Sequence, residues 1–208
     1  LQIMFASLDD GCRMIHDMLQ AGIVPAASEI LDKICLTVAA ERRHMDLPVG
    51  VEAAVIIEID GDDEASLETQ TKRIEAVAKS CGSLAFRAAG SQEEADELWS
   101  IRRGISSVIS TLTPNRFSED IPVPRDAFPE VVRLIKKISE KYGLLIAVYG
   151  HAGDGNLHPS ILCDISKEGE EEKVHRAIED IFAASLSLGG TLSGEHGIGI
   201  TKQPYFAN

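Results

Sequence analysis

The feature that most constrains the fold is a strand–helix–strand pattern that occurs twice along the chain. In the first copy, residues 51–60 (VEAAVIIEID) place apolar side chains on one face and acidic side chains on the other. This alternation predicts a half-buried strand. Apolar residues then recur at helical spacing up to Ser80, and Gly82 lies where a helix is expected to end. A short second strand is predicted over residues 83–87.

The second copy has the same order without sequence identity to the first. Residues 117–123 predict a strand, and residues 125–142 predict a helix that stops at Gly143. The apolar content of residues 144–150 (LLIAVYG) predicts a buried strand, and a further helix is predicted over residues 170–188.

Two strand–helix–strand units favour the α+β class, with a largely antiparallel sheet and helices on one side of it. We predict a ferredoxin-like arrangement, the split βαβ motif, in duplicate. Because no low-complexity linker interrupts the chain, we expect residues 1–208 to form one domain.

Composition excludes several classes of function. The net charge of −13 leaves no broad basic surface for DNA or RNA, so we exclude nucleic acid as a partner. No apolar run reaches the ~20 residues that a transmembrane helix requires. The four cysteines form no CxxC pair, and buried thiols in a reducing cytoplasm are the expected state.

The first chemically informative segment is residues 149–159 (YGHAGDGNLHP). His151 and His158 flank a loop that follows a buried strand, and the two glycines around Asp154 predict a tight turn with positive φ. Such a turn needs no function. Two histidines in one glycine-rich loop nevertheless make a divalent metal an equally good interpretation.

The second segment is residues 190–199 (GTLSGEHGIG), where Glu195 and His196 are adjacent. With His151 and His158, Glu195 completes three potential ligands, and three ligands with one open position are typical of a catalytic metal centre. His196 is then available as a general base. The residues alone leave two other hypotheses open. One is a metal-dependent hydrolase, and the other is a non-catalytic binding module whose glycine loops are merely turns.

A third segment, residues 97–107 (ELWSIRRGISS), carries a possible anion site. On one continuous helix, Arg102 and Ser106 are four residues apart and share a face. An arginine there can bind a carboxylate through two hydrogen bonds. A solvent-exposed pair of arginines is the simpler interpretation of the spacing.

Taken together, GHAGDGNLHP, SGEHGIG, LWSIRRG and SEDIPVPRDAFPE resemble the C-terminal domain of FAD-linked oxidases. This family includes D-lactate dehydrogenase, D-2-hydroxyglutarate dehydrogenase and the D-type subunit of glycolate oxidase, and the resemblance covers essentially the whole chain. It implies a flavin-dependent 2-hydroxy-acid dehydrogenase of the D-lactate or glycolate type. It also implies that the family's N-terminal flavin domain, which holds most of the FAD, is absent, and that the C-terminal end is truncated. We therefore expect the fragment alone to be inactive.

The resemblance also implies roles for individual residues. His151, His158 and Glu195 would bind a divalent metal, Zn or Mn, and His196 would take the proton of the substrate hydroxyl. Hydride would then leave the α-carbon for the flavin.

Further roles follow from the same resemblance. Arg102 would bind the substrate carboxylate, Ser106 would touch the substrate, and Asn156 would lie close to the flavin. Ser118 stands where D-2-hydroxyglutarate dehydrogenases have a lysine, which favours a monocarboxylate substrate. The implied partners are the flavin domain and an iron–sulfur or quinone electron acceptor. The expected location is the cytoplasm, with membrane association only through partners.

Overall fold

The computed structural model describes residues 1–200 and 202–206, which form two compact units. The first unit contains residues 1–105 and 151–153, and the second contains residues 106–150 and the described residues from 154 onward. Both combine helices with antiparallel strands, so the predicted α+β class is confirmed. Within the described part of the chain, no helix is long and apolar enough to span a membrane.

The first unit has the strand order β4–β1–β3–β2, with antiparallel neighbours throughout. This order is that of the split βαβ motif, with one additional helix, α2, between β2 and β3. Its elements are β1 (Gln2–Phe5), α1 (Leu8–Gln20), β2 (Ala27–Asp32), α2 (Lys33–Arg43), β3 (Ala53–Glu58), α3 (Glu64–Ser80), β4 (Ala85–Arg87) and α4 (Gln92–Arg102).

Helices of the first unit begin where side chains satisfy their first backbone N–H groups. The Ser7 hydroxyl accepts a hydrogen bond from Asp10 N at the start of α1, and the Asp63 carboxylate accepts one from Ser66 N at the start of α3. Both helices then bury apolar side chains and contact each other. These contacts hold the helices over the sheet.

Strand β3 is more deeply buried than its alternating sequence predicts. All residues from position 53 to position 57 are buried, including Ala54 and Ile56 on the face opposite Val55. Helices α1 and α2 both contact β3. The prediction of a half-buried strand is therefore wrong. The alternating pattern of residues 51–60 gives no sign of α2, the additional helix that contacts β3.

The second unit has the first part of the split βαβ pattern, with no fourth strand after α7 among the described residues. Strand β8 pairs with β7, β5 and β6, and helices α6 and α7 pack against each other. The elements are α5 (Ile105–Ile109), β5 (Asn115–Ser118), β6 (Ile121–Pro122), α6 (Phe128–Tyr142), β7 (Leu145–His151), β8 (Asn156–Cys163), α7 (Glu170–Ser187) and α8 (Gln203–Phe206).

The predicted elements of this unit are present, with one interruption. Helix α6 buries an apolar stripe that includes Val131 and Ile135, and it ends at Gly143, whose φ of 62° an L-residue rarely adopts. The single strand predicted over residues 117–123 is divided into β5 and β6. The division falls at Glu119 and Asp120, whose side chains are buried.

Candidate functional site

In the first unit, Glu29 of β2 joins two of the residues predicted to be functional. Its Oε1 is in direct contact with His151 Nδ1, and its Oε2 accepts a hydrogen bond of 2.6 Å from Arg102 Nε. The Glu29 side chain is only 7% exposed. The turn after His151 is fixed to the same strand, since Gly153 N donates to Ser28 O at 3.2 Å. His151 and Arg102 are therefore both positioned by one buried carboxylate.

Arg102 and Ser106 do not share a helical face, and that prediction is wrong. Helix α4 ends at Arg102, and Gly104 has a φ of 78°, which breaks the continuous helix on which the prediction depended. Arg102 lies in the first unit, and Ser106 begins the second. The i, i+4 spacing failed because a glycine lies between the two residues.

Ser106 has a cationic neighbour that the sequence analysis did not identify. Arg116 of β5 donates through Nη1 to the Ser106 carbonyl oxygen at 2.5 Å and to the Ser106 hydroxyl at 2.7 Å. Ser118, two residues farther along the same strand, shares a hydrogen bond of 3.0 Å with Ser160. Position 118 therefore carries no cation, whereas the fold brings the Arg116 guanidinium next to Ser106.

The second unit brings His158, Glu195 and His196 together. His158 is buried in β8, and its Nε2 lies 3.2 Å from Glu195 Oε1. The His158 and His196 rings are stacked, with centroids 5.5 Å apart and planes 18° from parallel. His196 Nε2 lies 3.8 Å from the same Glu195 oxygen. Glu195 and His196 are about half exposed, so this cluster is open to a ligand.

The loop that carries Glu195 and His196 is held by Asp120, a residue missed by the sequence analysis. The fully buried Asp120 carboxylate accepts hydrogen bonds from the backbone N–H groups of Gly194, Glu195 and His196 at 2.7, 2.6 and 2.9 Å. Its Oδ1 also lies 3.4 Å from His196 Nδ1. One side chain thereby sets the backbone of the loop and faces one nitrogen of the predicted base.

Lys202, which follows this loop in sequence, also supports it. Its Nζ is paired with Asp120 Oδ1, donates to the Leu192 carbonyl oxygen at 2.8 Å and lies 3.4 Å from Glu119 Oε2. The Lys202 residue is 5% exposed, so this is a buried ion pair.

The pKa values of Asp120 and Glu119 are shifted in opposite directions. Burial raises the pKa of Asp120, but hydrogen bonds from Lys202 and from the backbone N–H groups of His196 and Glu195 outweigh it and hold that pKa well below its usual range. Burial raises the pKa of Glu119 above its ordinary value, and the charge of Lys202 offsets only part of this. Asp120 is therefore the stable anion of the pair.

Asn156, the residue predicted to lie near the flavin, is buried at the start of β8. Its Oδ1 has no hydrogen-bond partner among residues 1–200 and 202–206. Gly194 approaches it closely, since a Cβ at position 194 would lie 2.8 Å from Asn156 Oδ1. Gly155, with a φ of 78°, confirms the predicted positive φ in the histidine loop. A buried amide oxygen without a partner indicates a place for a polar ligand group.

The predicted residues thus fall into two groups. Glu29 holds His151 and Arg102 in the first unit, and Asp120 holds the segment with Glu195 and His196 beside His158 in the second. Imidazole and carboxylate donors are the types that Zn and Mn bind.

Comparison with known proteins assigns the chain to a family. The family described as FAD linked oxidases, C-terminal domain, matches residues 1–208. The chain belongs to this family. The resemblance inferred from the motifs is confirmed, and the second unit of this FAD-linked oxidase domain contains the DGNLH and GEHGIG segments of those motifs.

Named relatives of this FAD-linked oxidase domain agree with the assignment. It is 37% identical over 205 residues to glycolate oxidase subunit GlcD of Bacillus subtilis (strain 168), which covers 99% of this chain and 43% of that protein. It is 28% identical over 208 residues to the mitochondrial D-lactate dehydrogenase (cytochrome) of Kluyveromyces lactis, with coverage of 97% and 36%. The chain therefore spans less than half the length of these relatives.

Solved structures support the fold. p-Cresol methylhydroxylase with bound substrate has a TM-score of 0.61 at 11% identity, over 91% of this chain and 43% of that one. 4-Ethylphenol oxidase from Gulosibacter chungangensis has a TM-score of 0.59 at 15% identity, over 91% of this chain and 44% of that one. At these identities the likeness shows the shared fold alone.

Proposed function

We propose that this domain binds a small 2-hydroxy acid, of the glycolate or D-lactate type, for a flavin-dependent dehydrogenase. The observation that carries the proposal is the cluster of His158, Glu195 and His196 on a loop fixed by Asp120. The names of the relatives, a glycolate oxidase subunit and a D-lactate dehydrogenase, supply the substrate class. Glycolate and D-lactate are both 2-hydroxy monocarboxylates.

His196 is the proposed base for the substrate hydroxyl. The ionised Asp120 carboxylate lies 3.4 Å from His196 Nδ1 and favours the tautomer with its proton on that nitrogen. His196 Nε2 then carries the lone pair and receives the hydroxyl proton. Half of the imidazole is exposed, so a substrate can reach it. General bases of this kind contribute about 10²–10⁴-fold in rate.

Arg102 is the proposed partner of the substrate carboxylate, and Ser106 is a proposed substrate contact. The guanidinium is a planar donor suited to carboxylates, and Glu29 engages its Nε. Ser118 is engaged with Ser160 and offers no cation for a second carboxylate. The guanidinium of Arg116, on the same strand, already donates through Nη1 to the Ser106 carbonyl and hydroxyl oxygens. Together these contacts favour a monocarboxylate.

A divalent ion, Zn or Mn, is the proposed metal, with His151, His158 and Glu195 as its ligands. The donor types fit, since His158 Nε2 and Glu195 Oε1 lie 3.2 Å apart and Glu29 contacts the Nδ1 side of His151. A bound ion would supply Lewis-acid activation of the substrate hydroxyl. The residues themselves contribute the orientation of that hydroxyl toward His196.

FAD is the proposed redox cofactor, held mainly by a separate flavin domain of the same protein. Bound flavin would supply the acceptor for the hydride on the substrate α-carbon. Asn156 fits a position near it, because its buried Oδ1 has no hydrogen-bond partner among the described residues. An iron–sulfur or quinone partner is the proposed next acceptor, and a cytoplasmic location completes the proposal.

The test is steady-state oxidation of glycolate and D-lactate by the full-length protein with a dye as electron acceptor. We expect His196→Ala to lower kcat by about 10²-fold or more. Arg102→Ala should mainly raise KM. His175→Ala is the matched control, because His175 lies on α7 in the same unit and its side chain is 54% exposed. Wild-type protein that oxidises neither acid, or a His196→Ala variant with full activity, would contradict the proposal.

A further inference from the structure

Glu29 contacts two residues of the proposed site, His151 and Arg102. It lies on β2, 73 positions from Arg102 and 122 positions from His151 in sequence. We propose that Glu29 is a positioning residue that couples the metal ligand His151 to the substrate-binding Arg102. This inference rests on the proposed function and deepens it.

The burial of Glu29 is the first argument. A carboxylate that is 7% exposed has lost most of its contact with water and needs partners for both oxygens. Both Glu29 oxygens are paired, one with the His151 imidazole and one with the Arg102 guanidinium. Packing alone would not require a carboxyl side chain at this buried position of β2.

The contact with His151 fixes the imidazole. A carboxylate at Nδ1 favours the tautomer with its proton there, which directs the Nε2 lone pair away from Glu29. Carboxylate partners of this kind set the ring orientation of metal-binding histidines, and their loss typically weakens metal affinity about 10–100-fold.

The contact with Arg102 fixes the guanidinium plane. Arg102 is the last residue of α4, two positions before the break at Gly104, and its side chain is 17% exposed. The hydrogen bond from its Nε to Glu29 at 2.6 Å therefore restrains a side chain at a helix end. An arginine held in a fixed plane loses less entropy when it binds a planar carboxylate.

One carboxylate thus restrains the metal ligand and the carboxylate-binding group together. A change at Glu29 should weaken both metal binding and substrate binding. A carboxylate that only stabilised the fold would change neither selectively.

The test uses the full-length protein and the substitution Glu29→Gln. The amide has the same size but presents an N–H group to one of its two partners. We expect Zn or Mn affinity, measured by chelator competition, to fall about 10–100-fold. We also expect KM for D-lactate or glycolate to rise several-fold. Glu52→Gln is the matched control, because Glu52 forms an exposed ion pair with Lys33 in the same unit.

Double-mutant cycles separate positioning from a structural effect. Glu29→Gln combined with His151→Ala should cost no more metal affinity than His151→Ala alone, and Glu29→Gln with Arg102→Ala should raise KM no further than Arg102→Ala alone. Additive effects in both cycles would overturn the proposal. Should Glu29→Gln unfold, Glu29→Asp, which keeps the charge on a side chain one methylene shorter, takes its place in both cycles: non-additive losses support the proposal, and additive losses in the folded variant overturn it.

Failure of this proposal is distinguishable from failure of the proposed function. Wild-type protein that binds no metal and oxidises neither acid would overturn both. Active, metal-binding wild type with an unaffected Glu29→Gln variant would overturn only the role of Glu29.

Discussion

Removal of one partner of the Asp120–Lys202 pair should have a large effect on stability. Asp120 is fully buried, Lys202 is 5% exposed, and the carboxylate also accepts three backbone N–H groups of residues 194–196. The substitution Asp120→Ala leaves those N–H groups near solvent, where water can replace the carboxylate. It leaves the Lys202 ammonium buried without its main counter-ion.

The expected loss of stability depends on the cost of the lost hydrogen bonds and on the cost of the unpaired Lys202 ammonium. Each backbone hydrogen bond to the charged carboxylate contributes about 1.5–3 kcal/mol net, and water that replaces the carboxylate recovers part of this. Breaking a buried ion pair by removing one partner costs about 3–5 kcal/mol. Glu119 Oε2 remains 3.4 Å from Lys202 Nζ and compensates part of the charge. We therefore expect Asp120→Ala to lower the free energy of unfolding by about 3 kcal/mol, the lower end of that range.

The assay is urea unfolding followed by circular dichroism, with the double variant Asp120→Ala/Lys202→Met beside both single variants. Because the double variant removes both charges of the Asp120–Lys202 pair and leaves only Glu119 without a counter-ion, its loss should be clearly smaller than the sum of the single losses. Asp180→Ala is the control, since its partner Lys141 is 60% exposed and the expected loss is below about 1 kcal/mol. A loss below about 1 kcal/mol for Asp120→Ala, or strict additivity, would refute the reasoning.

Three further predictions concern pH and backbone geometry. Because the pKa of Asp120 is lowered by folding, its contribution to stability is present above its ordinary value of 3.8 and is lost as the pH falls through its lower pKa in the folded protein. Acid titration of the unfolding free energy should be less steep in Asp120→Asn than in wild type, and equal slopes would contradict this. The pKa of Glu119 is raised by burial, so its contribution is present below its ordinary value of 4.5 and is lost as the pH rises through the raised value. Glu119→Gln should remove that decline in the same titration, and a decline that persists would count against it. Gly155→Ala should destabilise by about 1 kcal/mol or more in thermal unfolding, because the position has a φ of 78° and an added Cβ would overlap the Val123 carbonyl oxygen. An unchanged unfolding midpoint would argue against this strain.

Local sequence patterns predicted the elements within residues 51–87 and 117–150 and the helix over residues 170–188, whereas β8 and the elements within residues 1–50 were not predicted. The apolar stripe of α6 and its stop at Gly143 are confirmed, and so is the positive φ at Gly155 in the histidine loop. Such features depend on neighbours within one turn, so periodicity and glycine positions report them. The prediction of one continuous helix through Arg102 and Ser106 was wrong. Its cause is also local, since Gly104 has a positive φ that ends the helix.

The supporting residues could not be found in this way. Glu29 meets His151 across 122 positions, and Asp120 meets Lys202 across 82. No periodic pattern relates such positions, since only the folded sheet brings them together. A signal was present in the acidic pair Glu119–Asp120, which interrupts an otherwise strand-like segment. Buried charges in a strand indicate a specific partner, but the sequence does not identify it.

The most direct test of the central claim is anaerobic single-turnover reduction of the flavin in the full-length protein. D-Lactate or glycolate is mixed rapidly with oxidised enzyme, and the flavin absorbance is followed for wild type, His196→Ala and the control His175→Ala. We expect rapid bleaching in wild type and control, and a rate at least about 10²-fold lower in His196→Ala. Flavin that is not reduced by either acid, or is reduced equally fast without His196, would contradict it.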